Sequence, residues 1–133
     1  MKQLLSLALA ISYIAAADAA VLKISLNNLV IGIDERTGSV VSLDSSNTGR
    51  VLVTQPQAAG VLDVAYPVES FAAMRLASRF SRAQVTLGQN KVTIRWERLG
   101  ASRGNLELPS GAVRAQVTIQ AANDGRSIIW RCR

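Results

Sequence analysis

Chemistry in this sequence would have to come from carboxylates or arginines. There is no histidine, which removes Ser-His-Asp and Cys-His nucleophiles together with histidine-bearing zinc sites. Cys132 is the single cysteine and cannot build a thiolate cage or a disulfide scaffold. Gly100 and Gly104 flank Ala101-Ser102-Arg103, but neither a P-loop lysine nor a helical pattern follows. Two carboxylates flanking a bond suffice for glycoside hydrolysis, and Asp63 with Glu69, or Glu97 with Glu107, are the pairs on offer. Glu97 sits among Arg95 and Arg98, where a surface ion pair is the ordinary role, so no catalytic residue is assigned. Asp34, Asp44 and Asp124 lie in or beside turn signals, where aspartate commonly bonds nearby backbone amides. Their spacing resembles no recognised calcium loop, and neither metal nor cofactor is expected.

Binding has better candidates than catalysis. Arg75, Arg79 and Arg82 form the densest basic cluster, and a planar guanidinium fork suits carboxylates, so an acidic sugar is the contact they suggest. Tyr66, before Pro67 in a predicted loop, is the aromatic best placed for exposure. Trp96 and Trp130 are read as core: Trp96 shares a strand face with Val92 and Ile94, Trp130 one with Ile128 and Cys132. Lys and Arg outnumber Asp and Glu by 15 to 9, a net charge of +6. The basic residues alternate with apolar ones and form no block, which favours a basic soluble domain over a nucleic-acid-binding arm.

The elements that must position these residues are strands. Residues 1–19 read first as a signal peptide: Lys2 supplies the positive start, Leu4 to Ala17 is uncharged and apolar, and Ala17-Asp18-Ala19 offers a small-x-small cleavage site. The run is short for a membrane span, so residues 20–133 are expected to be secreted or periplasmic, free of the membrane after cleavage. Turn signals then recur at short intervals, among them Asn27-Asn28, Arg36-Thr37-Gly38, Gly88-Gln89-Asn90 and Asn123-Asp124-Gly125. Segments rich in Val, Ile, Leu and Thr lie between them, the pattern of an all-β antiparallel sandwich.

Alternation sets the faces. Val113 to Gln120 is apolar at every odd position and polar at every even one, and Lys91 to Glu97 behaves likewise. The pairs 83–88 with 91–98 and 113–121 with 127–132 read as hairpins. Strand 29–34 turns through residues 35–38 into strand 39–43. Phe71 to Ser81 fits no single helical face. The chain reads as one domain, 20–133, that stops inside a strand, which suggests the front part of a longer protein.

The stretch Asn28-Leu29-Val30-Ile31-Gly32-Ile33-Asp34-Glu35-Arg36-Thr37-Gly38-Ser39-Val40-Val41-Ser42-Leu43 resembles the opening hairpin of the large β-sandwich that precedes the catalytic barrel in many bacterial glycoside hydrolases. Trp96-Glu97-Arg98-Leu99 and Asn123-Asp124-Gly125-Arg126-Ser127 look like later landmarks of the same galactose-mutarotase-like sandwich. The resemblance covers most of residues 20–133. It implies a polysaccharide or glycoside as partner and catalytic carboxylates in a downstream barrel, and no family catalytic residue maps onto this chain. That family's sandwich is longer than the segment available, so the resemblance also implies exposed strand edges and an apolar inner face lacking part of its cover.

The expected function is therefore a non-catalytic N-terminal β-sandwich portion of an exported carbohydrate-active protein, supporting a downstream catalytic domain. The alternative is a free-standing secreted immunoglobulin-like binding or adhesion module. A small exported enzyme using carboxylates alone ranks third.

Overall fold

Alternation of apolar and polar residues becomes strands throughout. The computed structural model describes residues 20–54, 60–67, 73–101 and 113–133; the signal segment, Glu69 and Glu107 lie outside the described residues. A four-stranded meander comes first: β1 (Val21–Leu26), β2 (Leu29–Asp34), β3 (Val40–Ser45) and β4 (Val51–Thr54), each antiparallel to the next. β5 (Asp63–Pro67) and β6 (Ala73–Ala77) follow, then a single 3-10 turn at Ser78–Phe80. β7 (Gln84–Gly88) and β8 (Lys91–Trp96) make a hairpin, β9 (Gly100–Ala101) pairs with β6, and β10 (Ala115–Ala121) and β11 (Ile128–Cys132) make the last hairpin. The second sheet has the order β11-β10-β8-β7, and β5, β6 and β9 form a small third one.

The two large sheets close on one core, as an all-β antiparallel sandwich. Leu26, Ile31 and Ile33 of the first sheet pack in one buried cluster with Val92, Ile94, Trp96, Val117 and Ile119 of the second. Leu76 and Leu99 bring the third sheet into the same cluster. Each of these side chains is at most 4% exposed, and full burial of one such aliphatic side chain is worth roughly 1.5–3 kcal/mol.

Turn residues fix how the sheets meet. Asn27, at φ 53°, takes the left-handed conformation that Asn tolerates at the β1–β2 corner. Its Nδ2 donates to the carbonyls of Ala122 (3.1 Å) and Ser127 (2.6 Å), which ties the first hairpin to the last. Gly38 has φ +70°, and a Cβ there would lie 2.9 Å from Trp96 Cζ2 and collide with Ile94 Cγ2. Glycine is thus required twice over, for conformation and for the approach of the β2–β3 turn to β8.

One expectation changes here. Tyr66 is not in a loop: it lies in edge strand β5, opposite Met74. Proline is tolerated on an edge strand, so Pro67 did not end the pairing. Asp44 lies near the end of strand β3, opposite Val30 and Val51 and beside the turn over residues 46–48.

Candidate functional site

The basic cluster divides in two. Arg75 projects from β6 and meets Asp63 of β5 with both forks, Nη2 to Oδ2 at 2.7 Å and Nε to Oδ1 at 3.3 Å. The hydrogen bond and charge of Asp63 raise the Arg75 pKa further above its already high value. Asp63 is therefore the ion-pair partner of Arg75, whose side chain remains 68% exposed.

Arg79 and Arg82 find a different neighbour, Arg36. The 3-10 turn that carries Arg79 is pinned by Ser78, whose amide donates to Leu62 O (2.9 Å) and whose hydroxyl accepts from Leu62 N (3.2 Å). Ser81 Oγ then accepts from Gly100 N at 2.6 Å and donates to Ala77 O at 3.3 Å. One residue past Arg82, the Ala83 amide donates to Arg36 O at 2.8 Å, drawing the β2–β3 turn alongside. The result is an open concavity of about 490 Å³ lined by Arg36, Thr37, Arg79, Phe80, Ser81 and Arg82. The Arg79 guanidinium lies 4.8 Å over the Phe80 ring, a cation–π contact.

No carboxylate lines this concavity. Asp34 is close in sequence, but its Oδ1 accepts from the Thr37 amide (2.7 Å) and hydroxyl (2.9 Å) and is folded into its own turn. Three guanidinium groups around an open hollow can hold an anion. Sequence spacing could not reveal Arg36 as a member, because the Ala83–Arg36 bond that recruits it joins distant segments. The other proposed carboxylate, Glu97, pairs at 3.6 Å with Arg114 of the neighbouring chain segment, not with Arg95 or Arg98. Among the described residues no three His, Cys, Asp or Glu gather around a point that could hold a metal ion.

A second surface comes from the inner face of the second sheet. Paired residues of antiparallel strands share a face, so Leu87, Val92, Ile119 and Trp130 form one row across all four strands. Val92 and Ile119 are fully buried, whereas Leu87 is 50% exposed and Trp130 46% exposed. Trp130 therefore faces inward as its register suggests, but on edge strand β11 it is not core, contrary to the sequence reading. Cys132, in the next row opposite Val117, is exposed as a free thiol.

Comparisons of the chain with protein-family models, with curated proteins and with solved structures return no match.

Proposed function

We propose that residues 20–133 are a non-catalytic β-sandwich portion of an exported carbohydrate-active protein, which docks its incompletely covered inner face on a downstream domain of the same polypeptide. The row Leu87–Val92–Ile119–Trp130 carries this reading. It is buried at its centre and half exposed at both ends. Its ends stand on opposite edges of the sheet, three strand spacings or about 14 Å apart. With the centre of the row already packed against the first sheet, a docked domain would approach along the open edges of the sandwich, beside Leu87 and beside Trp130. The Thr37-Gly38 hairpin, which resembles the start of a glycoside hydrolase sandwich, agrees with this role. So does the arginine-lined concavity, suited to an acidic sugar.

Calorimetry of the full-length protein tests the docking. Leu87→Asp with Trp130→Asp is expected to split a single cooperative unfolding transition into two, because charges placed in the interface uncouple the domains. A thermogram unchanged in shape would contradict docking and favour the free-standing module.

A further inference from the structure

The outer face of the second sheet carries an arrangement that emerges only when its strands are aligned. One cross-strand row reads Thr86, Thr93, Thr118 and Arg131. Beside it run Gln84, Arg95 and Gln116, continued by Arg133, whose amide and carbonyl each bond Gln116 at 3.0 Å. A third row runs Gly88, Lys91, Gln120 and Ile129, the last an apolar residue at its end. None of these positions is Asp or Glu. Glu97, just past the end of β8, pairs with Arg114 at 3.6 Å and lines a neighbouring hollow with Arg95, Gln116 and Arg133.

The cations are held in place by their neutral neighbours. Arg95 Nη2 donates to Gln116 Oε1 at 3.2 Å, and Arg131 Nη1 donates to Gln120 Oε1 at 3.0 Å. Each guanidinium uses one of its five donors in this way. A shallow depression of about 240 Å³ lies among them, with Lys91, Thr118 and Arg133 on its walls. Flat, cationic and interleaved with hydroxyl and amide groups, the face matches a polymer that alternates acid groups with hydroxyls. The rows named hold no aromatic side chain on which bases could stack, which single-stranded nucleic-acid sites ordinarily provide.

We propose that this face binds a uronic-acid polysaccharide laid across the strands. Arg95, Arg131 and Arg133 pair with its carboxylates, while the threonine row and the glutamines bond its hydroxyls. The sugar rests on the carbohydrate-active reading above; the anion rests on the row geometry alone.

Titration of the full-length protein with a hexauronate tests it, with a neutral hexasaccharide and an oligodeoxynucleotide of equal charge as comparators. The hexauronate should bind, and more weakly as salt rises. Arg131→Gln should weaken binding about 1.5- to fivefold, the range of an exposed ion pair. Thr118→Val, which leaves charge unchanged, should weaken it about twofold through one lost hydrogen bond. Lys23→Gln, on β1 of the first sheet, should leave it unaltered, Arg79→Ala in the separate concavity tests the location, and far-UV circular dichroism should be the same for all four variants. Equal affinity for the oligodeoxynucleotide would overturn the saccharide assignment. Loss on Arg79→Ala without loss on Arg131→Gln would overturn the location. Binding of the neutral hexasaccharide alone would overturn the acidic ligand and leave the carbohydrate reading standing. No binding of any probe would overturn the inference, while the calorimetric test of docking stays independent of it.

Discussion

Trp96 and Trp130 are the same residue type in the same inward register, and their fates differ completely. Trp96 lies on central strand β8, is fully buried, and donates its indole N–H to Thr37 O at 2.9 Å. That bond fixes the β2–β3 turn against the core and so supports the Arg36 side of the concavity. Trp96→Phe keeps most of the ring but leaves a buried carbonyl without its donor, and should cost about 1–3 kcal/mol, read from urea unfolding midpoints. A change within error would show that Gly38 packing, the Asp34–Thr37 bonds and the Ala83–Arg36 bond hold the turn without the indole. Trp130, on edge strand β11, is nearly half exposed. Alternation in the sequence tells which way a side chain points; whether another layer covers it depends on strand order, which alternation does not encode. Arg36 was hidden for the same reason, since a backbone bond from Ala83 brings it to Arg79 and Arg82.

Hairpins were the most legible elements. Gln89-Asn90 and Asn123-Asp124-Gly125 supplied local turn chemistry between alternating runs, and β7–β8 and β10–β11 formed where that chemistry placed them. The pairing of β8 with β10 joins strands separated by β9 and could not be read locally. Tyr66 was misplaced because Pro67 resembles a loop signal, although an edge strand accepts it. The last turn also carries a pH signature. Asp124 accepts from the Ser127 hydroxyl (2.5 Å), the Ser127 amide (2.8 Å) and the Arg126 amide (2.8 Å). These bonds, that of the Ser127 hydroxyl foremost, hold its pKa below the ordinary aspartate value. A depressed folded pKa contributes stability above the unfolded value, about 3.9, and that contribution is lost as pH falls through the folded pKa. Asp124→Asn should accordingly be less stable than the parent at neutral pH, with the gap starting to close as pH drops below about 4. A gap independent of pH down to acid unfolding would contradict the bonding described.

At the scale of the whole molecule, the second sheet has two unlike faces. Outward it presents threonines, glutamines and cations; inward it buries the centre of an apolar row and leaves both ends half bare. The exposure of Leu87, Trp130 and Cys132 is the physical feature on which the docking proposal rests. Cys132 reports on that cover directly, because its thiol lies on the inner face of edge strand β11 beside Trp130. The decisive measurement is the alkylation rate of Cys132 in the native full-length protein, followed by peptide mass spectrometry and compared with the rate in denaturant. Docking on a downstream domain predicts labelling at least about tenfold slower in the native state, the protection given by an opening free energy of about 1.4 kcal/mol or more. Labelling at the denatured rate would contradict the central claim and leave a free-standing sandwich.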